Sequence, residues 1–304
     1  MPFREPAIVP AQVFTRMPDE FRRKRRNAWT DANRGGRDID SFLEGPSFDR
    51  DGNLWVVDVP FGRVFRIAPS GKWTLVAEYD GWPNGLKIHR DGRVFLADYK
   101  NGLMIVDPAT GRIAPVLEAQ WSESFKGLND LIFAANGDLY FTDQGQTGWH
   151  DPSGRVYRLS SAGRLDRLMA TIPSPNGIAL NLAETQIYVA VTRDNSVWRL
   201  PLMLDGSVSK AGAWIRLSGG HAGPDGMALD GEGGLIVCQL GIGVWRFDAL
   251  GRPTHLVELG AEAYGTNVAF GGPERRTLFI TESEQGVILM AEMPAPGRRL
   301  FSHD

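Results

Sequence analysis

The chain has 304 residues, 42% of them hydrophobic, and 33 Lys or Arg against 36 Asp or Glu give a formal charge of −3. That balance excludes an intrinsically disordered chain and a strongly basic nucleic-acid binder, and no run approaches the roughly 18 apolar residues of a membrane-crossing helix. The one cysteine, Cys238, excludes an intramolecular disulfide, and inside the apolar run LIVCQ it reads as a small buried hydrophobe, not a nucleophile.

Residues 1–40 read as an N-terminal arm. The opening MPFREPAIVP lacks the apolar core of a secretory signal, so the expected compartment is the cytoplasm. The arm holds nine Lys or Arg against six Asp or Glu, including the run FRRKRR from Phe21 to Arg26. One short basic run with no basic face behind it reads as a solvated or subunit-contacting segment, with no nucleic-acid or membrane role. The stretch Gln12 to Met17 is expected to add an outer strand to the last unit of the ring described next.

Residues 41–304 read as one repeating domain. Six segments open on Glu44, Asn84, Asn129, Asn176, Asp225 and Asn267, as in EGPSFDRDGNLWVVD and NDLIFAANGDLYFTD, at spacings of 40, 45, 47, 49 and 42. That period suits four-stranded propeller blades. Within each segment a turn signal, strongest at Asp51-Gly52, Asp91-Gly92 and Asn136-Gly137, separates two strand-like halves. Later runs such as RVFRI, WTLVAEY and RVYRL supply the outer strands. The expected fold is all-β: a six-bladed β-propeller with four-stranded antiparallel blades and an N-terminal arm.

In that fold the residues fourteen positions on, including Asp58, Asp98 and Asp143, sit beside the segment starts at one blade end. Asp98 and Asp143 read as surface turn carboxylates ahead of groups supporting a site. The six starting side chains converge near the axis at one mouth. Register alone fits two readings equally: a ring of turn-forming residues, or an oxygen-lined metal site. Glu44 discriminates best, because glutamate is a poor turn former and costly in a closed channel unless paired or coordinated. Hard oxygen ligands favour calcium or magnesium over zinc, and a flexible, partly hydrated site favours calcium.

Trp55, Trp73, Trp198 and Trp245 lie in strand-like runs and read as packing between blades. Trp149 and His150 lie in the longest post-hairpin connection, Gln144 to Gly154, and read as substrate contacts. Phe61, Tyr99 and Arg193 are expected to shape the same mouth. His150 or His221 is placed to relay a proton, although a loop histidine is more often simply solvated. No G-x-S-x-G or G-x-x-x-x-G-K-[ST] segment occurs, which argues against a serine hydrolase of the elbow type and a phosphate-cradling loop.

The motifs LEGPSFDRDGNLWVVD, LNDLIFAANGDLYFTD, SPNGIAL and GPDGMALD, between about Phe42 and Phe301, resemble the senescence-marker-30, gluconolactonase and luciferin-regenerating family of six-bladed propellers. The resemblance implies a divalent ion, commonly calcium, held by Glu44, Asn129, Asn176 and Asp225, with magnesium, manganese or zinc as alternatives. It also implies hydrolysis of a small lactone, sugar-derived or another hydroxyacid lactone, with Asp225 as general base or nucleophile. Asn129 and Asn84 are expected to touch substrate, and Asp130 either supports the site or belongs to its strand. A phosphotriester hydrolase on the same ligands and a non-catalytic, calcium-stiffened binding module are the alternatives. Oligomeric state is not readable.

Overall fold

The computed structural model describes residues 5–303. Its strands form six blades of four antiparallel strands around one axis, one of them extended by a fifth, parallel rim strand, and a separate two-stranded hairpin, Ala119–Gln120 with Glu123–Ser124. Blade one runs outward from Leu43–Phe48 through Leu54–Asp58 and Arg63–Ile67 to Trp73–Glu78. The other inner strands are Pro83–Ile88, Leu128–Phe133, Pro175–Leu180, Pro224–Leu229 and Gly265–Gly271, and each packs against the inner strands of the blades beside it.

Packing explains why the strands alternate so weakly in hydrophobicity near the axis. Leu43–Phe48 and Leu54–Asp58 are buried along their whole length because both faces meet a neighbouring blade. Among the described residues, six hydrophobic clusters fill the six seams between blades. One joins Trp55, Val57 and Val64 of blade one to Leu86 and Leu96 of blade two. Another joins Leu43 and Phe65 to Phe279 and Ile288 of blade six. Trp55 and Trp73 are buried in these seams, and Trp198 and Trp245 pack at the edges of two others.

Chain ends finish the ring. Gln12–Arg16 pairs antiparallel with Val287–Glu292 as the fourth strand of blade six, and Ala7–Pro10 pairs parallel with Pro253–Glu258 on the rim of blade five. Beyond those strands the arm folds back over one face. A short helix, Ala28–Asn33, starts at a reciprocal cap between Asn27 and Thr30 and is pinned by Asn27 Nδ2 donating to Pro60 O at 2.9 Å. At the opposite face the C-terminal segment crosses the axis: Phe301 is buried and stacks on Phe133 at 5.4 Å between ring centroids. The central channel is therefore floored by the tail and roofed in part by the arm. No helix among the described residues is long and apolar enough to cross a membrane.

One register expectation is corrected. Asp58 lies opposite Leu43, with Glu44 opposite Val57; Asp98 and Asp143 likewise face Pro83 and Leu128. An offset of one residue reverses the side-chain direction. Asp98 and Asp143 are accordingly not surface carboxylates but fully buried clamps on the loops entering their blades. Asp98 accepts from the backbone N–H of Trp82, Lys100 and Asn101, and Asp143 from those of Lys126 and Gly127.

Candidate metal centre

Every inner strand breaks register at the same end. The irregularities fall between Glu44 and Ser47, Pro83 and Gly85, Leu128 and Leu131, Pro175 and Ile178, Pro224 and Met227, and Gly265 and Asn267. A bulge turns a side chain out of the regular pleat, and here each one carries an oxygen-bearing residue. The glycines that follow let the ring close tightly. A Cβ on Gly85 would lie 2.7 Å from Asn129 O, one on Gly177 2.4 Å from Asp225 O, and one on Gly226 2.0 Å from the Asn267 side chain. In blade three, Asp130 stands where blades one, two, four and five have glycine.

Glu44, Asn129, Asn176 and Asp225 are all buried in this ring, and Asn84 is half-buried beside them. Asn129 Nδ2 donates to Gln144 Oε1 at 2.9 Å, and Gln144 Nε2 donates to Ser174 Oγ at 2.9 Å. That chain fixes the Asn129 amide and leaves its carbonyl oxygen available. Asn267 does something different from its counterparts. Its Nδ2 donates to Glu44 Oε2 at 3.0 Å while its Oδ1 accepts from Val268 N, so both amide atoms are used in positioning Glu44.

The electrostatics are those of crowded anions. Burial, and then the charge of Asp225, push the Glu44 carboxyl well above the ordinary range. Burial pushes Asp225 up to about 7; the Asn176 amide pulls it back, and the charge of Asp130 adds to the rise. Asp130 is 1% exposed, and its Oδ2 is a buried atom without a hydrogen-bond partner. Lys87 Nζ lies 3.9 Å from Asp130 Oδ1 and donates to Leu86 O at 3.1 Å. Glu44 and Asp225, with the amide oxygens of Asn129 and Asn176, make a donor set that suits a divalent, oxygen-preferring cation. Among the described residues no group of three or more His, Cys, Asp or Glu is placed to hold a metal ion, so any ion at the ring depends on amide oxygens beside the carboxylates. Cys238 lies behind the ring as a buried thiol whose pKa is raised by burial and by Asp225 and Glu44.

Above the ring opens a cavity of about 980 Å³. Its walls are Asn33, Arg34 and Arg37 from the arm, Arg193 from blade four, and His221, Tyr264 and Glu284 from loops of blades five and six. Arg34 and Arg193 both lie within electrostatic reach of Asp225. Residue order gave no sign that the arm enters the mouth: Asn33 accepts a hydrogen bond from Gln146 Nε2, which also donates to Tyr99 OH at 3.0 Å. Among residues expected here, Arg193 lines the cavity and Phe61 is buried beneath the arm. Trp149, 63% exposed, and His150 stand at the rim, where His150 and Arg193 both pack near Gly148. His221 meets Tyr264 edge-on at 5.3 Å.

Fold and site together define a six-bladed propeller with a ring of buried oxygen-bearing side chains near a cavity lined by arginines. Residues 42–284 match the family model described as "SMP-30/Gluconolactonase/LRE-like region". The chain belongs to this family. It is 30% identical to lactonase drp35 of Staphylococcus aureus (strain MW2) over 267 residues, covering 84% of this chain and 80% of that protein. The crystal structure of a calcium-binding protein, regucalcin, from Agrobacterium tumefaciens superposes with a TM-score of 0.76 at 25% identity, covering 97% and 98% of the two chains. A gluconolactonase from Xanthomonas campestris gives a TM-score of 0.75 at 22% identity over 97% and 99%, a likeness of fold.

Proposed function

We propose that the protein is a divalent-metal-dependent lactonase, with calcium as the preferred ion, acting on a small hydroxyacid lactone. The observation that carries this reading is the burial of Glu44 and Asp225 as mutually repelling carboxylates, with Asp225 in electrostatic reach of two arginines that line an open cavity. Kinship with lactonase drp35 supplies the reaction class.

Glu44, Asn129, Asn176 and Asp225 hold the ion in this reading. When bound, a divalent cation supplies carbonyl polarisation and stabilises the negative charge that develops on the carbonyl oxygen. The chain's own groups do the rest. Asp225 takes a proton from the attacking water through the carboxylate oxygen left uncommitted, or attacks the carbonyl itself. Asn267 keeps Glu44 oriented, and the Asn129 amide is aligned by Gln144. Asn84 and Asn129 orient the lactone, with Trp149 and His150 at the rim. The floor formed by Phe301 excludes bulk water from below, which strengthens every charge interaction above it.

The test is turnover. Protein stripped with chelator and then resupplied with calcium, magnesium, manganese or zinc is assayed against a panel of aldonolactones by acid release at neutral pH. Metal-restored hydrolysis above the spontaneous rate is expected, with calcium most effective. Silence on lactones with metal-restored cleavage of phosphotriesters would move the assignment to that substrate class, and silence on both would leave a binding module.

A further inference from the structure

We propose that the lactone carries an anionic substituent, a carboxylate or a phosphate, held in the cavity above Asp225 by Arg193 and Arg34. The inference rests on the lactonase reading and specifies its substrate class.

Two opposed walls of the cavity present guanidinium groups. Arg34 follows the arm helix and lies over Phe42, with its carbon Cζ 4.9 Å from the ring centroid. Its side chain is 25% exposed, and only Nη2 reaches partners, Ser283 Oγ and Glu284 Oε1, both at 3.3 Å. Arg37 is paired with the same Glu284 oxygen, so a single carboxylate serves two guanidiniums. Arg193 is exposed across the cavity, and among the described residues no carboxylate pairs with it. Glu262 also lines the cavity and is exposed at its rim. Three arginines against two glutamates, one of them shared, leave a cationic surplus whose unused N–H donors face the space a substrate would fill.

The ring below does not absorb this surplus, since its carboxylate excess is matched by the divalent ion. A neutral polyol gains less than an anion from a planar, doubly donating cation. Arginine suits carboxylate and phosphate, which accept two parallel N–H bonds at once. Burial lowers the Arg34 pKa, a cost that an anion docked against it would offset.

The experiment compares kcat/KM for glucono-δ-lactone, glucarolactone and a phosphorylated aldonolactone in calcium-loaded wild type, Arg193→Gln and Arg193→Lys. An anionic lactone is expected to be preferred about tenfold, with the preference falling by about that factor in Arg193→Gln and partly kept in Arg193→Lys. The better of the two anionic lactones identifies carboxylate or phosphate. Loss of the preference is the informative readout, because damage to the fold lowers all substrates alike. Equal turnover of neutral and anionic lactones, or a uniform loss in Arg193→Gln, overturns the inference and leaves the lactonase reading standing. If no lactone turns over, the lactonase reading fails, and calorimetric titration of glucarate against the neutral polyol glucitol still decides the subsite: tighter glucarate binding that Arg193→Gln weakens supports it, and equal binding overturns it.

Discussion

Asn267 Nδ2 donates to Glu44 Oε2 at 3.0 Å across 223 positions of chain, joining the last blade to the first at the centre of the ring. Thr266 Oγ1 makes a second bond over the same seam, donating to Leu43 O at 2.7 Å. Ring closure and the orientation of Glu44 are thus one structural event. An ion bound at Glu44 should brace the junction where the propeller is shut.

Glu44→Gln keeps the shape and removes one negative charge. The calcium dissociation constant is expected to rise at least tenfold, about 1.4 kcal/mol, in competition titrations with a chelating dye. The ion-free protein should melt higher than wild type, because a buried charge repelled by Asp225 is gone. Unchanged ion affinity would remove Glu44 from the ligand set.

Asp225→Asn should lower kcat by roughly a hundredfold or more while the far-ultraviolet circular dichroism stays that of the wild type. Retained turnover in this variant would take both base and nucleophile roles away from Asp225.

Stability of the ion-free protein should depend on pH in a defined direction. Asp225 titrates at about 7 in the fold against an ordinary 3.8, so between those values the folded protein holds a proton that the unfolded chain has lost. Stability therefore falls as pH rises through this window, and Glu44, whose carboxyl is also raised by burial and by Asp225, adds to the same slope. Bound calcium reverses the trend, since protons compete with the ion for the same carboxylate. Melting curves in chelator and in calcium, from about pH 5 to about pH 8, should slope in opposite directions.

Gly177→Ala tests the close approach of blades four and five. The added methyl would lie 2.4 Å from Asp225 O, so the backbone carrying the proposed base must move. A stability loss of about 1–3 kcal/mol is expected, together with loss of turnover. Gly212→Ala, which meets nothing within 4 Å, is the matched control and should leave both intact.

Phe301→Ala removes the aromatic floor that packs on Phe133 and His89. It should cost roughly 3–5 kcal/mol in denaturant unfolding. A cost under about 1 kcal/mol would show that the tail is not integral to the core.

The blade count, the start of each inner strand and the ring of oxygen residues were legible from spacing, because each blade repeats one local solution to the same packing problem. Asp130 was named from the sequence as either a support of the site or a strand residue. Its crowding against Glu44 and Asp225 was not, since it depends on side chains from three blades meeting at one axis. Asp98 and Asp143 were misread for a smaller reason: a bulge shifts pairing by one residue, and that shift turns their carboxylates into the loops.

The sequence by itself determined the all-β propeller and its six oxygen-bearing positions, because turns and strand alternation are local properties written at a regular period. Tertiary structure decided what surrounds them. Arg34 reaches the mouth only because the arm folds back after closing blade six, Arg193 faces it from blade four, and Phe301 seals the far end. These placements follow from packing between segments far apart in the chain, and no short-range pattern encodes them.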